Sequence, residues 1–182
     1  MRAIALLPLC LLLFACQTKG PLDENSPYHI LPSGSRLILK RELTIPAHSA
    51  GVWLQGGRVM SIKDINQYHP HCRLEVNDVR ESTQTVMADE FVVRRARQEE
   101  TSTVARTGLM KAQMRIGGDV RVNVFRTTLD LHSERQPQVR WLTCQQWSEA
   151  ALGQHVTIRE MRVTLGEIFT LQLPSNASDG NR

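Results

Sequence analysis

The densest group of side chains able to do chemistry lies at residues 68–72, in the run Tyr68-His69-Pro70-His71-Cys72. Imidazole nitrogens and a thiolate are good ligands for zinc or copper. In an extended segment neighbouring side chains point to opposite faces, so His69 and His71 share a face that Cys72 does not. A structural zinc site also needs a fourth ligand, and the other histidines are scattered. We therefore predict no metal site here and expect both histidines to be solvated.

Residues for two kinds of hydrolytic catalysis lie in the same part of the chain. Cys72 beside His71 has the residue types of a Cys–His nucleophile, but such a pair is defined by proximity in space and not in sequence. Paired carboxylates of the glycosidase kind are the second option, although acids at this spacing are typical of solvated strand edges and turns. The acids concerned are Glu75, Asp78, Asp89 and Glu90. Because no nucleophile elbow, phosphate loop or dinucleotide fingerprint is present, we predict a non-enzymatic protein with no catalytic residue and no cofactor.

Three arginines, Arg94, Arg95 and Arg97, directly follow the apolar residues 91–93. Guanidinium groups on one face of a sheet bind carboxylates or phosphates through paired hydrogen bonds. Outward positions of an antiparallel sheet are polar in any case, so the arginines also fit a solvated surface. We treat the three as candidate residues for binding a ligand or a partner. The tryptophans Trp53, Trp141 and Trp147 fit either a sugar-stacking platform or the core, and we expect them in the core.

The elements that position these side chains are mostly strands. Apolar residues alternate with polar ones through residues 37–45, 72–76, 120–124 and 168–173, and Gly56-Gly57 between two short apolar runs predicts a hairpin. Residues 156–165 alternate with a one-residue change of phase, which predicts a strand with a β-bulge. Short strands at this spacing predict a mainly β, antiparallel sandwich or barrel-like domain.

One short helix and two connecting segments are predicted beside the strands. Thr143 and Gln146 fit a capping box, and Gly153 lies where a helix would end, so we predict a helix over residues 143–153 that docks on the sheet. Residues 98–106 show no clear period and are predicted to form a long exposed loop. Residues 117–119 predict a further turn.

The N-terminal segment is apolar or proline from Ala3 to Ala15, with Arg2 before it. This roughly 13-residue run is shorter than the about 20 residues of a membrane-spanning helix, and it has the layout of a secretory signal. The residues Leu13-Phe14-Ala15-Cys16 resemble the processing site of bacterial lipoproteins. The resemblance implies cleavage after Ala15 and acylation of Cys16. Gln17, in the place of the Asp that retains lipoproteins in the inner membrane of diderm bacteria, implies the outer membrane.

Four cysteines reduce to two once Cys10, in the signal, and Cys16, at the lipid site, are set aside. In the oxidising envelope compartment that the resemblance implies, the remaining two usually pair. We predict a disulfide between Cys72 and Cys144, which would stabilise the fold by roughly 4 kcal/mol through the entropy of the unfolded chain.

Four segments make up the predicted organisation of the chain. These are a cleaved signal at 1–15, a lipidated N-terminus and flexible tether at 16–35, a single β-rich domain at 36–173, and a disordered tail at 174–182. Of 22 basic and 18 acidic residues, only Arg2 is lost with the signal, which leaves 21 − 18 = +3. This modest charge argues against a nucleic-acid partner.

The sequence therefore predicts a lipid-anchored, non-enzymatic protein on the periplasmic face of the outer membrane. Its expected partner is a protein of an assembly or secretion system in the cell envelope. An alternative is a binding module for an anionic glycan, lipopolysaccharide or peptidoglycan, through Arg94, Arg95 and Arg97. A third option is a metal-binding or hydrolytic protein centred on residues 68–72.

Overall fold

A single curled antiparallel sheet dominates the computed structural model, which describes residues 22–105, 120–149 and 153–174. The prediction of a mainly β, barrel-like domain with one short helix is confirmed: the sheet forms a half-barrel. None of the helices in these ranges is long and apolar enough to cross a membrane. The elements are β1 Arg36–Leu39, β2 Leu43–Ile45, β3 Gly51–Gln55, β4 Arg58–Met60, β5 His71–Val76, β6 Gln84–Val86, β7 Asp89–Ala105, β8 Val120–His132, β9 Val139–Ser148, α1 Ile158–Leu165 and β10 Phe169–Gln172.

Eight strands form the sheet in the order β10-β1-β7-β8-β9-β5-β3-β4, and β2 pairs with β6 apart from it. Helix α1 contacts β10 at one end of this order and β3 and β5 near the other end. Because one short helix touches both ends, the sheet curls around its apolar face, and α1 lies at the opening of the half-barrel. The opposite, outer face of the sheet carries the polar side chains.

The core follows the period of two that the sequence predicts for the strands. Cys72, Leu74 and Val76 of β5 point inward beside Leu142 and Cys144 of β9, and all five are buried. Each fully buried aliphatic side chain of this kind stabilises the fold by about 1.5–3 kcal/mol. The alternation therefore decides which side chains are left for the outer face.

The predicted hairpin at Gly56-Gly57 is confirmed as the connection between β3 and β4. Both glycines have positive φ, 57° and 75°, as two-residue hairpins require. The backbone of Gly166, just after α1, lies very close to this turn. A Cβ atom added to Gly166 would lie only 2.4 Å from the Gly57 Cα. The Gly57 N–H also donates to the Thr164 carbonyl at 2.9 Å, so the turn packs directly on the end of α1.

The helix predicted over residues 143–153 is wrong. Residues 143–148 belong to β9, which pairs with β5 on one side and with β8 on the other. These two ladders outweigh the local capping signal of Thr143 and Gln146. Residues 149 and 153 lie outside any regular element, and residues 150–152 lie outside the described ranges.

The helix lies instead where a bulged strand was expected. Thr157 and Glu160 form a complete capping box before α1, and Gly166 ends the helix. Ile158, Met161 and Leu165 are buried, with the i, i+3, i+7 spacing of a helical face. The change of phase in residues 156–165, which predicted a β-bulge, therefore reflects the period of a helix.

The exposed loop predicted over residues 98–106 is also wrong as far as residue 105. Strand β7 continues to Ala105, and all of residues 98–105 are paired with β8. The polar composition reflects a strand whose outer side chains are solvated. Residue 106, and the turn predicted at 117–119, lie outside the described residues.

Part of the segment expected to be a flexible tether packs on the domain. Leu22 contacts the core cluster, and Leu31 is buried within it. Glu24 forms paired hydrogen bonds with Arg162 of α1, 2.9 Å from Nε to Oε2 and 3.0 Å from Nη2 to Oε1. Residues 22–35, which were expected to belong to the tether, therefore include residues that pack on the body.

Candidate binding site on the outer sheet face

The predicted disulfide between Cys72 and Cys144 is present. The two residues are directly opposed on β5 and β9, and both are fully buried in the core. The bond therefore joins two neighbouring strands of the sheet. Since its sulfur is bonded to Cys144, Cys72 is neither a metal ligand nor a nucleophile in this structure.

His71 is buried, which corrects the expectation that both histidines are solvated. Its Nδ1 donates to the His69 carbonyl at 2.9 Å, so Nε2 is free to accept from the Gln145 side-chain amide at 3.1 Å. The ring also packs against Trp53, with the centroids 5.7 Å apart. Burial lowers the pKa of His71 below its ordinary value, although the bond to the His69 carbonyl opposes this. His69 itself is exposed, and the described residues hold no cluster of metal ligands.

Three of the four carboxylates considered for hydrolysis, Glu75, Glu90 and Asp89, are each held by a separate partner. Glu75 pairs with Arg73 at 2.8 Å, and Glu90 pairs with Arg36 at 3.0 Å. Asp78 is exposed. These contacts are those of surface ion pairs, which contribute little to stability.

Asp89 is the most constrained of these acids. Burial raises the pKa of its carboxyl, but hydrogen bonds from the Ser133 hydroxyl, the Gln136 amide and the Glu90 N–H, together with the charge of Arg135, bring the pKa below its ordinary value. The Ser133 Oγ lies 2.7 Å from Asp89 Oδ2 and the Gln136 Nε2 lies 3.1 Å from it. The carboxylate thus links the start of β7 to the turn after β8.

The outer face carries rows of side chains that strand register sets opposite one another. Residues paired across neighbouring strands share a face, so each row runs from β7 through β8 and β9 to β5. The rows are Arg95–Asp130–Trp141–Glu75, then Arg97–Thr128–Thr143–Arg73–Trp53, then Glu99–Arg126–Gln145–His71.

All three tryptophans lie on this face and are half-buried, so the prediction that they fill the core is wrong. The reason is the period of two: Leu142 and Leu54 take the inward positions of their strands, which sends Trp141 and Trp53 outward. Two of the rings are covered by arginine. Arg73 lies 5.2 Å from the Trp53 centroid, and Arg140 lies 5.2 Å from that of Trp141, as in cation–π pairs.

The three arginines singled out from the sequence lie together. Arg94, Arg95 and Arg97 line a cleft of about 400 Å³ with Arg140, Asp130 and Trp141. We name it the arginine cleft. A register shift between Val93 and Arg95 inserts one residue into β7. Because of this β-bulge, Arg94 and Arg95 line the same cleft, although adjacent residues of a regular strand point to opposite faces.

The charge of the arginine cleft is positive. Asp130 accepts from Arg95 Nε and from Arg97 Nη2, both at 3.1 Å. Arg94 and Arg140 have no carboxylate within salt-bridge distance among the described residues, so four arginines face one acid. Arg140 and Asp130 were not predicted from the sequence. Asp130 joins the cleft because it pairs with Arg95 on one side and with Trp141 on the other, and Arg140 directly precedes Trp141.

A second depression of about 420 Å³ continues from the arginine cleft across β8, β9 and β5. It has mixed charge, with Arg73 and Arg126 near Glu75 and Glu99. Arg126 is oriented by Gln145, whose Oε1 accepts from Nε at 3.1 Å. The Nε of Arg73 is buried without a hydrogen-bond partner in the described structure.

One long edge of the sheet lies beside the arginine cleft. Strand β1 pairs with β7 only along residues 89–92. Two backbone hydrogen bonds extend this pairing to Val93, which accepts from the Gly34 N–H and donates to the Ser35 carbonyl. From residue 94 to 105, no strand of the described ranges pairs with that side of β7. We name this stretch the free edge of β7. The Gln98 side-chain amide donates to the Pro27 carbonyl at 3.2 Å, so residue 27 lies beside this stretch. Unpaired backbone groups at a sheet edge can pair with another strand.

The comparisons with known proteins add nothing to this geometry. No family model, no curated protein and no solved structure matches the chain.

Proposed function

We propose that this protein is a lipid-anchored, non-enzymatic component of the outer membrane that binds another protein of the cell envelope. The partner, a protein of an assembly or secretion system, contributes an extended acidic segment. The observation that carries the proposal is the free edge of β7 lying beside the arginine cleft. Both features belong to the same strand, so one extended segment can contact them together.

The two features supply different parts of the binding. An added strand gains affinity from main-chain hydrogen bonds along a sheet edge. Those bonds carry no sequence information, whereas the side chains beside the edge select the partner. Arg94 and Arg140, which pair with no carboxylate in the described ranges, offer bidentate sites for Asp or Glu of the partner.

The anchor rests on the residues before the packed body. Leu13-Phe14-Ala15-Cys16 resembles a lipoprotein processing site, and several acyl chains on Cys16 would make release from the membrane negligible. The disulfide between Cys72 and Cys144 supports an oxidising compartment such as the periplasm.

Site-specific photo-crosslinking in intact cells tests this proposal. A photoreactive residue at Glu99, on the free edge of β7, should give one discrete protein adduct that mass spectrometry identifies. The matched control is the same residue at Val79, which is 60% exposed but lies outside β7. A Glu99 probe that gives no adduct, or the same adducts as Val79, would contradict the proposal.

A second candidate function, binding of an anionic glycan, is favoured by the aromatic surface of the same face. Trp141 and Trp53 present half-buried rings beside Arg140 and Arg73. Sugar rings stack on such surfaces. If the ligand is a glycan, the crosslinked product is a polydisperse glycan ladder instead of a single protein adduct.

The two functions also separate by retention on immobilised lipopolysaccharide. The triple variant Arg94→Gln, Arg95→Gln, Arg97→Gln should lose salt-sensitive retention if the glycan is the ligand. The matched control replaces three exposed cations elsewhere, Arg41, Arg58 and Lys63, with Gln. Equal retention of the wild type and the triple variant would exclude the glycan.

A further inference from the structure

The packed N-terminal segment of the described structure is joined to helix α1. Glu24 pairs with Arg162, and its carbonyl accepts from the Arg159 backbone N–H at 3.0 Å. Arg159 Nη1 also donates to Asn25 Oδ1 at 3.3 Å. Leu22 contacts the core. Glu24 and Asn25 are therefore held against α1, and Leu22 is held against the core.

The distance from this point to the lipid is short. The proposed lipid site at Cys16 lies six residues before Leu22, and a chain of that length spans about 20 Å at full extension. A domain of this size is roughly 40 Å across. A tether shorter than the body cannot let every face reach the bilayer equally, so the side that carries residue 22 must lie nearest the membrane.

The side chains around that point suit a membrane–water interface. Tyr28 is 87% exposed and Val163 is 67% exposed, the two highest values among large apolar side chains of the described residues. Ile30 and Arg159 are also exposed nearby in the chain. Tyrosine is amphipathic and enriched at membrane interfaces, and arginine attracts anionic headgroups.

The loop that carries Tyr28 is joined to the helix that carries Arg159 and Val163. Asp23 N donates to His29 Nδ1 at 2.7 Å, which closes residues 23–29 into a compact loop, and Glu24 fixes that loop to α1. We name Tyr28, Ile30, Arg159 and Val163 the exit surface.

We propose that the exit surface rests on the phospholipid headgroups of the membrane that holds the acyl chains. This proposal rests on acylation of Cys16, which is part of the proposed function, and adds the orientation of the body. Helix α1 lies at the opening of the half-barrel, so the outer face of β8 and β9 then points away from the bilayer. The arginine cleft is thereby presented to the periplasm.

Depth-dependent quenching in vesicles tests the orientation. The acylated full chain, carrying Val163→Cys with an environment-sensitive fluorophore, is reconstituted in phosphatidylethanolamine with a minority of phosphatidylglycerol. Brominated lipids should quench this label several-fold more than the same label in the matched control Arg140→Cys, an exposed position of β9 in the arginine cleft. A label at Tyr28→Cys gives a second reading from the loop.

Each outcome bears on a different proposal. Mass spectrometry that finds no acyl group on Cys16 overturns the anchor and the orientation together. An acylated chain whose labels at residues 28, 163 and 140 are quenched equally overturns the orientation alone. Strong quenching at both 28 and 163, with little at 140, supports it.

Discussion

Asp130 sets how much positive charge the arginine cleft offers to a ligand. Among the residues that the structure describes, it is the one acid that lines the cleft, and it pairs with Arg95 and Arg97. Both arginines remain well exposed, with 63% and 42% of their side chains accessible. Exposed pairs of this kind are weak, typically below about 1 kcal/mol. The acid therefore orients the two guanidinium groups without preventing a ligand from reaching them.

Replacing this acid should strengthen the binding of polyanions. Asp130→Asn removes one negative charge from a site that retains four arginines, so the variant should elute from immobilised heparin at higher salt than the wild type. Asp78→Asn is the matched control, because it removes the same charge from an exposed acid outside the cleft. If both variants shift elution equally, net charge and not the arginine cleft governs the binding.

His71 should make the stability of the fold sensitive to acid. Its pKa is lowered by burial in the folded chain, while the unfolded chain keeps a value near 6.5. The unfolded state then binds more protons as the solution is acidified. The contribution of neutral His71 is therefore fully present above about pH 6.5 and is lost as the pH falls below that value toward the folded pKa.

Urea unfolding at about pH 7.5 and about pH 5 measures this effect. The loss of stability between the two pH values should be smaller in His71→Gln than in the wild type. His69→Gln, which changes an exposed histidine two residues away, should keep the wild-type loss. His155 also has a pKa lowered by burial, so the His71 variant should reduce the dependence without abolishing it. An unchanged dependence in His71→Gln would show that another group is responsible.

At the level of elements, period and turn chemistry were predictable, whereas competition between local signals was not. The chain contains two candidate capping boxes, at Thr143 with Gln146 and at Thr157 with Glu160. Only the second begins a helix, because β5 and β8 both pair with β9 and hold Thr143 in a strand. The positions of neighbouring strands decide this, and a single sequence does not reveal them.

The candidate site was predictable to the same limited extent. Arg94, Arg95 and Arg97 were visible as a cluster, since they are adjacent in sequence. Asp130 and Arg140 join them only through strand register and through the β-bulge after Val93. Neither the register nor the bulge can be recognised from the composition of the chain. Long-range pairing therefore completes a site of which the sequence shows one strand.

The two capping boxes give a direct comparison. Thr157→Ala should lower the free energy of unfolding by about 1 kcal/mol, since it removes the acceptor for the Glu160 N–H at the start of α1. Thr143→Ala, at a half-buried position of β9, should change it by within about 0.5 kcal/mol. Urea unfolding measures both, and a larger loss in Thr143→Ala would contradict the assignment of the helix.

At the scale of the whole molecule, α1 joins parts that are far apart in the chain. It contacts strands near both ends of the sheet, and Arg162 binds both Glu24 and the carbonyl of Leu171 in β10. The same helix thus closes the half-barrel and fastens the segment that leads to the proposed lipid site. Loosening that segment would lengthen the tether and relax the orientation of the body.

Hydrogen exchange of residues 22–35 can test whether Arg162 holds this segment. Arg162→Gln removes the paired bonds to Glu24, worth about 1 kcal/mol for a partly exposed pair. Amides of the segment should then exchange about fivefold faster, while those of β8 and β9 keep the wild-type rate. Arg159→Gln is the control, because it keeps the Glu24 pair and loses only a side-chain contact with Asn25. Equal exchange in all three proteins would mean that burial of Leu22 and Leu31 alone holds the segment, and that the tether stays short without the ion pair.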